Sequence, residues 1–594
     1  MPSLLLVAAG LLLLYFLQYP YNLGRNYLTA RKTGLPIIIV PIDQNAFLWM
    51  VISVPLRPIL KKLLSTSAYE RMSLVIYGWE FHQKLQPFEE HAKPQGNSKT
   101  FFLVTCGRPE ISTCDREIAY EITRRPRDFQ HPELNALFVG KFGRNVLTDN
   151  GDQWAKQRKV IASVINERIS KAVFNESIRQ TDGLLGEVYD HADGHTSETK
   201  RIFNMMKKIT IHVLSGAGMG AQVEWNSNEN EKPREGYKMT YIEACKAVID
   251  ATAGPIALPT WVMNYWPGFL PGHEFMNNLG QAVKEFPIHT RHLMERERQR
   301  VKTHGGETKS NIMSQLLQAS EGDPKAGKAL TEEETMGNLY VFTAAGFDTT
   351  ANTLSYALVL LCRYPHWQDW ILEEIDDLLP SESSEPVDYT AIFPKVVRVM
   401  AVMLETLRIF TPVIHLSRET KVPQVIETSG GTYNIPTKCA VYIDNVALHL
   451  DHDVWRNLNN TSTGDREPAD QPDEYSFRPT RWVNPPGSQT PLFQPPKGTY
   501  SPWSAGPRVC PGQKMAQVEF TAIFMTLFRR HRIEAVPLTI NGRAESRSEV
   551  DARLDASMKD SISILTLQMQ NVYDVTDDEV EDGKGLRVRL TKRR

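Results

Sequence analysis

A cysteine enclosed by glycine and proline constrains this chain more than any other stretch. Residues 503–512 are WSAGPRVCPG, and an apolar pattern with helical spacing follows from Ala516 to Leu527. Glycines admit positive φ and leave backbone N–H groups free to point at the sulfur. The start of a helix adds partial positive charge, which favours a thiolate over a thiol. We therefore expect Cys510 to be an anionic sulfur ligand, with Arg508 placed to neutralise a nearby anion such as a carboxylate.

Other roles for Cys510 compete with this interpretation. A lone cysteine is more often a small buried hydrophobic residue than a ligand. A structural zinc site needs further Cys or His at short spacing, and none is near. A cysteine protease needs a histidine and a third group elsewhere in the chain. A thiolate held in such a loop would suit haem iron, because it pushes electron density towards the metal.

Composition narrows the class of protein. The 594 residues include 67 Lys and Arg against 69 Asp and Glu. This near balance gives no global nucleic-acid footprint, so we predict no nucleic-acid partner. The six cysteines are scattered, which favours a reducing compartment over a disulfide framework. Length alone would suggest several domains, but the chain contains no repeat.

The first residues predict a membrane anchor. Leu4 to Tyr19 is almost wholly apolar, slightly short of the roughly 20 residues of a spanning helix. A cleaved signal peptide is the alternative, although no basic residue precedes the apolar run. Basic residues follow it, beginning at Arg25, which places the body in the cytosol. We assign residues 1–20 to a transmembrane anchor, 21–60 to a membrane-proximal linker and 61–594 to one catalytic domain.

A long predicted helix carries unusual residues at its centre. It begins at a capping box, Thr331 to Glu334, and ends near Pro365. Its middle contains the sequence AAGFDTT at 344–350, which is poor helix chemistry. A broken local rule within a good helix indicates a functional site, where Asp348 and Thr349 could pass protons. The structural alternative is a glycine kink with a solvated aspartate.

Two pairs of residues have helical spacing. Trp154 and Arg158 share one helix face, although a surface helix with an extended arginine would show the same pattern. Glu405 and Arg408 also share a face and lie among apolar residues, so this pair should be buried. Buried ions need complete satisfaction, which predicts a third group.

Together these motifs resemble the cytochrome P450 family over about residues 60–570. The cysteine loop, the oxygen helix, Glu-x-x-Arg at 405–408, the sequence FRPTRW at 477–482 and Trp-x-x-x-Arg at 154–158 follow the family's order. Trp503 departs from the family, which usually has Phe there. The resemblance implies a mainly α fold with small β-sheets. It also makes Arg481 the third member of a structural network with Glu405 and Arg408.

The resemblance further implies one haem b, with Cys510 as axial ligand of the iron. Asp348 and Thr349 would be the catalytic residues that organise proton delivery. The implied cofactor-binding residues are Trp154, Arg158, Ala345, Gly346, Arg418, His449, Trp503, Gly506, Arg508, Cys510 and Gly512.

The implied function is monooxygenation of a lipophilic small molecule in secondary metabolism. Electrons would come from NADPH through NADPH-cytochrome P450 reductase, with cytochrome b5 as a second donor. The protein would sit on the endoplasmic-reticulum membrane and resembles filamentous-fungal members. The alternatives are a haem-thiolate isomerase or dehydratase that needs no O2, a non-catalytic haem-binding protein, and a membrane-tethered binding module without haem. We also expect a surface insertion at about 458–473 and a peripheral tail at about 576–594.

Overall fold

The computed structural model describes most of the chain. The described residues are 17–97, 99–189, 194–226, 233–251, 255–303, 311–320, 330–379, 387–456, 458, 472–540, 542–563, 566–573 and 585–593.

Helices form most of the ordered structure, as the sequence predicts. They are α1 (17–30), α2 (Phe47–Leu63), α3 (Thr66–Ser73), α4 (Trp79–Gln83), α5 (Arg116–Arg124), α6 (Asn135–Val139), α7 (Gly151–Val164), α8 (Glu167–Tyr189), α9 (Ile202–Val213), α10 (Tyr241–Asp250), α11 (Thr260–Asn264), α12 (His273–Thr303), α13 (Ile312–Ser320), α14 (Glu332–Arg363), α15 (His366–Leu378), α16 (Tyr389–Ile392), α17 (Arg398–Ile409), α18 (Asn445–His449), α19 (His452–Trp455), α20 (Gln513–Arg530) and α21 (Arg547–Lys559).

The strands are short. They are β1 (Ile37–Ile39), β2 (Thr100–Val104), β3 (Glu110–Thr113), β4 (Phe129–Gln130), β5 (Thr196–Thr199), β6 (His415–Thr420), β7 (Gln424–Thr428), β8 (Gly431–Ile435), β9 (Ala440–Asp444), β10 (His531–Ala535), β11 (Thr539–Ile540), β12 (Arg543–Ala544), β13 (Ser561–Ser563), β14 (Leu567–Met569) and β15 (Val588–Lys592). One sheet has six strands in the order β1-β2-β3-β9-β6-β4, and a second has the order β10-β15-β5. The remaining pairs are β7-β8, β11-β12 and β13-β14.

Helix α14 runs through the main hydrophobic core. Its first turn has the predicted capping box, in which the Thr331 hydroxyl accepts from the Glu334 N–H and the Glu334 carboxylate accepts from the Thr331 N–H. Helices α9, α17, α20 and α21 pack against it. Most of its side chains are buried, so tertiary packing offsets the weak helix propensity of its glycine and threonines.

The N-terminal region differs in part from expectation. Most of the predicted anchor, residues 1–16, lies outside the described residues, and residues 17–30 form the described part of helix α1. Within the described ranges, no helix is both long and apolar enough to cross a bilayer. The predicted linker at 21–60 is a folded part of the structure from Ile37 onward, because β1 pairs in parallel with β2 and α2 follows. Proline and polar residues in this stretch suggested a membrane-surface segment or an early part of the domain, and its three isoleucines extend the sheet.

The predicted peripheral tail also contains a strand. β15 lies between β10 and β5, and both Val588 and Leu590 are fully buried. The charged residues of this stretch indicated a solvent-exposed tail, whereas the alternation of VRL at 588–590 is typical of a half-buried strand. The predicted insertion at 458–473 falls mainly on 459–471, outside the described part of the chain.

Candidate active site

A largely apolar cavity of about 1130 Å³ lies between α14 and the loop that precedes α20. Ala345, Gly346 and Thr349 form part of one wall, and Trp503 and Cys510 form part of another. The structure therefore brings together the motif at the centre of α14 and the cysteine loop, which lie far apart in the sequence. Phe47, Val51 and Phe275 also line the cavity, and each is about half exposed. The cavity thus opens between α2 and the start of α12.

Backbone geometry shapes the loop around Cys510. The Cys510 N–H donates to the Trp503 carbonyl at 2.8 Å, which closes the loop. Gly506 has a φ of 66°, and a Cβ there would lie 2.4 Å from the Thr123 carbonyl oxygen, so only glycine fits. Ser504 shares the left-handed region, with a φ of 63°. Two residues in this region would be costly in a random loop, and here they fix the position of the sulfur.

Cys510 differs from the other cysteines in its surroundings. It is exposed to the cavity, whereas the other five are buried. Burial by the surrounding protein has the largest effect and raises the pKa of the Cys510 thiol, although the backbone N–H of Gly512, the charge of Arg158 and the backbone N–H of Gln513 act in the opposite direction. These groups are the N–H donors and the cation that stabilise a thiolate. The sulfur is thus arranged as a ligand.

Arg508 and Arg418 place two buried cations on the same cavity. Arg508 donates from Nη2 to the Asp149 carbonyl at 3.0 Å and to Asn150 Oδ1 at 2.8 Å, and its guanidinium lies 4.4 Å from the centre of the Trp154 ring. Among the described residues, its Nε and Nη1 atoms are buried without a hydrogen-bond partner. Such orphaned donors are rare in native proteins and indicate a missing acceptor.

Charge repulsion supports the same conclusion. Burial, then the neighbouring charge of Arg418, lowers the pKa of Arg508 to about 9, and burial lowers the pKa of Arg418 to about 10. An anion between them would relieve both effects. Trp154 and Arg158 line the same cavity. The residues present therefore fit a haem: Arg508 and Arg418 would receive its anionic propionates, and Cys510 would be the ligand of its iron.

His131 is a neighbour of this cation cluster that the sequence did not reveal. It lines the cavity, and its backbone N–H donates to Asn150 Oδ1 at 3.0 Å. Burial, followed by the charges of Arg418 and Arg508, lowers the pKa of His131 well below its usual value. The imidazole is therefore neutral at physiological pH. Its only sequence signal was a histidine beside Pro132 in an irregular stretch.

The oxygen helix presents part of its motif to the cavity. The Thr349 hydroxyl donates to the Ala345 carbonyl at 2.7 Å, and both residues line the cavity with Gly346. A Cβ on Gly346 would lie 3.2 Å from the side chain of Leu214. Asp348 is not among the residues that line the cavity, and its carboxylate accepts a short hydrogen bond from the Thr566 hydroxyl. The structure thus separates the two predicted catalytic residues.

The charged network lies behind the cavity. Arg408 donates to both oxygens of Glu405 at 2.8 and 2.9 Å, and Arg481 donates to Glu405 at 2.9 Å. All three side chains are fully buried. Burial acts to raise the pKa of Glu405, but the charges of Arg408 and then Arg481 outweigh it and lower the pKa to about 2. The third group is therefore Arg481.

His449 belongs to this network and not to the cavity wall. Its carbonyl accepts from Arg408 Nη1 at 2.9 Å, and its Nε2 accepts from the Ser501 N–H at 3.0 Å. The ring also packs against Tyr500. Burial lowers the pKa of His449 to about 3, so the ring is neutral. The structure does not bring His449 to the cavity with Arg418, as the cofactor prediction required, because α18 turns its side chain towards Ser501.

Comparison with known proteins gives the family. A family model described as Cytochrome P450 matches residues 70–548. The chain therefore belongs to the cytochrome P450 family, is a monooxygenase by class and takes haem b as its cofactor.

Its relatives include fungal enzymes. A "Phomenoic acid biosynthesis cluster cytochrome P450 monooxygenase" of Leptosphaeria maculans is 40% identical, over 92% of this chain and 94% of the relative. A cytochrome P450 monooxygenase of Arthrobotrys oligospora is 28% identical, over 95% of this chain and 96% of the relative. Among solved structures, the cytochrome P450DA heme domain superposes with a TM-score of 0.62 at 18% identity, covering 94% of this chain and 98% of that one.

Proposed function

We propose that this protein oxidises a lipophilic small molecule in fungal secondary metabolism. The observation that carries the proposal is that Cys510 and Thr349 line the same mainly apolar cavity of about 1130 Å³. The Leptosphaeria relative, named for a biosynthetic cluster, supports the metabolic setting. Walls that include Phe138, Leu214 and Phe342 favour an apolar guest over a charged one.

Haem b would be held by Cys510 at the iron and by Arg508 and Arg418 at the propionates, with Trp154 and Arg158 beside them. Once bound, it supplies the activation of O2 that no side chain can perform. Gly512 and Gln513 stabilise the thiolate through their N–H groups.

Thr349 places a hydroxyl in the cavity, and Asp348, one residue earlier, supplies the acid that exchanges protons with it. Apolar walls exclude water, so protons reach the cavity by this route.

Exposed apolar side chains support a membrane location. Aromatic and aliphatic residues on α1, on α2, on α11 and in the segment between α11 and α12 remain exposed. They include Leu17, Tyr21, Leu28, Phe47, Leu48, Val51, Trp261, Tyr265 and Phe269. The cavity opens between two of these segments, so a lipophilic substrate would pass from the bilayer into the protein. We place residues 1–20 as the anchor in the endoplasmic-reticulum membrane, with the folded domain in the cytosol.

Electrons would reach the haem from the side of Cys510, from NADPH-cytochrome P450 reductase or cytochrome b5. A small cleft beside Cys510 is lined by Arg158 and Lys514, among others. Lys514 is about half exposed, and it pairs with the exposed Glu167 at 2.7 Å. Exposed pairs of this kind contribute little to stability, so Lys514 is free to engage an acidic partner.

The experiment is the carbon monoxide difference spectrum of the dithionite-reduced protein. We expect the strongly red-shifted Soret band of thiolate-ligated haem in the wild type and in Cys106→Ala, which removes a buried thiol elsewhere. Cys510→Ala should lose that band. A wild-type band at the position of histidine-ligated haem, or an unchanged band in Cys510→Ala, would contradict the proposal. Product formation that depends on O2 and NADPH then separates a monooxygenase from an isomerase or a passive haem binder.

A further inference from the structure

A chain of side-chain hydrogen bonds ends at Asp348. The Tyr573 hydroxyl donates to Asn352 Oδ1 at 2.7 Å, and Asn352 Nδ2 donates to Thr566 Oγ1 at 2.9 Å. The Thr566 hydroxyl in turn donates to the Asp348 carboxylate. Every donor points in the same direction, so the carboxylate is the final acceptor. Bonds that polarise one another in this way are stronger than isolated ones.

Thr566 belongs to a structural unit that also touches the cavity. It lies in the short connection between β13 and β14, where Ser563 pairs with Leu567. Ile562 and Ser563, on the same hairpin, line the cavity. The Leu567 N–H donates to the carbonyl of Pro412, another cavity-lining residue, at 2.8 Å. The hairpin therefore contacts both the space for the substrate and the acid.

The hydrogen bond from Thr566 holds the Asp348 carboxylate outside the cavity, where it cannot take part in proton transfer. Asp348 does not line the cavity, although Ala345 and Thr349 on the same helix do. A hydroxyl donor stabilises the ionised carboxylate and fixes its rotamer. To exchange a proton with Thr349, the Asp348 side chain must first give up its bond to Thr566. The chain cannot itself conduct protons, because the Asn352 amide interrupts it.

We propose that Thr566 is a positioning residue that holds Asp348 away from the cavity until a substrate displaces the hairpin at Ile562 and Ser563. The proposal rests on the proton-delivery role of Asp348 given under the proposed function. A substrate can drive such a change only by contacting one arrangement better than the other. Ile562 and Ser563 supply that contact. The device would keep the enzyme from consuming reductant when the cavity holds no substrate.

The test uses the haem-loaded full-length protein and a double-mutant cycle. Thr566→Val removes the donor and keeps the shape, Thr566→Ser keeps the donor, and Asp348→Asn removes the charge. Thr521→Val is the control, because Thr521 is fully buried and its hydroxyl has no hydrogen-bond partner among the described residues. The first readout is the midpoint of thermal unfolding. The second is peroxide release from NADPH with a purified reductase and no substrate.

We expect Thr566→Val to raise substrate-free peroxide release about fivefold, the effect of one lost hydrogen bond, and Thr566→Ser to restore the wild-type rate. In the Asp348→Asn background, Thr566→Val should no longer raise peroxide release, because an amide cannot deliver a proton, and it should lower the unfolding midpoint less than it does in the wild type, because the lost bond is then to a neutral acceptor. The proposal is overturned if Thr566→Val behaves like Thr521→Val, or if its effect on peroxide release persists in the Asp348→Asn background. A wild type that consumes no NADPH would instead contradict the proposed function, and the unfolding cycle would then test the coupling by itself.

Discussion

Replacing Glu405 by glutamine should destabilise the protein strongly. The change removes the counter-charge of Arg408 and Arg481, which are fully buried and donate to Glu405 at 2.8 to 2.9 Å. Removing one partner of a buried ion pair typically costs ~3–5 kcal/mol, because a charge is left without compensation. The lowered pKa gives a similar figure. A shift from 4.5 to about 2 corresponds to ~3 kcal/mol of stability at neutral pH.

The sign of the pH dependence follows from the direction of this shift. A carboxyl group whose pKa is lowered on folding contributes stability above pH 4.5 and loses it as the pH falls towards 2. The wild type should therefore lose ~3 kcal/mol from this group across that window. Glu405→Gln should show no such loss from the position, because it has no carboxyl group to protonate.

Urea unfolding, followed by fluorescence at pH 7 and at steps down to pH 3, measures both effects. The matched control is Glu373→Gln, which breaks a pair with Arg398 at 2.6 Å in which Glu373 is 68% exposed. An exposed pair contributes at most ~1 kcal/mol. Equal losses in Glu405→Gln and Glu373→Gln would refute the conclusion that burial makes the first pair strong.

Three further predictions concern single positions. Gly506→Ala should lower haem incorporation and cost ~2–4 kcal/mol, since its Cβ would lie 2.4 Å from a carbonyl of α5; Gly487→Ala, with φ 87° and open space, should cost ~1 kcal/mol and keep its haem. Thr349→Ala should release peroxide in place of product while Thr343→Ala, on the same helix, should not, as measured by the ratio of product to NADPH; equal ratios would remove Thr349 from proton delivery. Burial raises the pKa of Glu519 to about 8, so the wild type loses stability as the pH rises from 4.5 to 8. Glu519→Gln has no carboxyl group to ionise, and its stability relative to the wild type should therefore be ~3–5 kcal/mol greater at pH 8 than at pH 4.5 in urea unfolding. A difference that stays constant with pH would contradict this.

Local signals predicted the parts of the site that lie within single elements. The capping box of Thr331 and Glu334 and the apolar spacing around them were sufficient to define α14. The glycines around Cys510 indicated a shaped loop because glycine admits positive φ, and Gly506 adopts it. The helical spacing of Glu405 and Arg408 and the apolar residues around them predicted a buried pair that needs a third group, and the family resemblance supplied Arg481 as that group.

Contacts between distant elements could not be predicted from the sequence. Thr566 meets Asp348 only because the β13–β14 hairpin folds against α14, and no local pattern encodes that approach. His449 and Arg418 were equally plausible contacts for a cofactor. Only the structure shows that α18 directs the His449 side chain towards Ser501, whereas Arg418 lines the cavity. The charges near Val588 obscured a strand that becomes visible only when β5 and β10 lie on either side of it.

The position of β15 has a consequence for how the protein is made. Val588 to Thr591 pair with Thr199 to Thr196 and also with β10, so this sheet joins segments almost four hundred residues apart. During synthesis β5 has no partner strand until β15 has been made. The Cys510 loop also follows β5 by more than three hundred residues, so it too is absent when β5 is made. A ribosome that stalls before Val588 would leave a nearly complete chain with an open sheet edge.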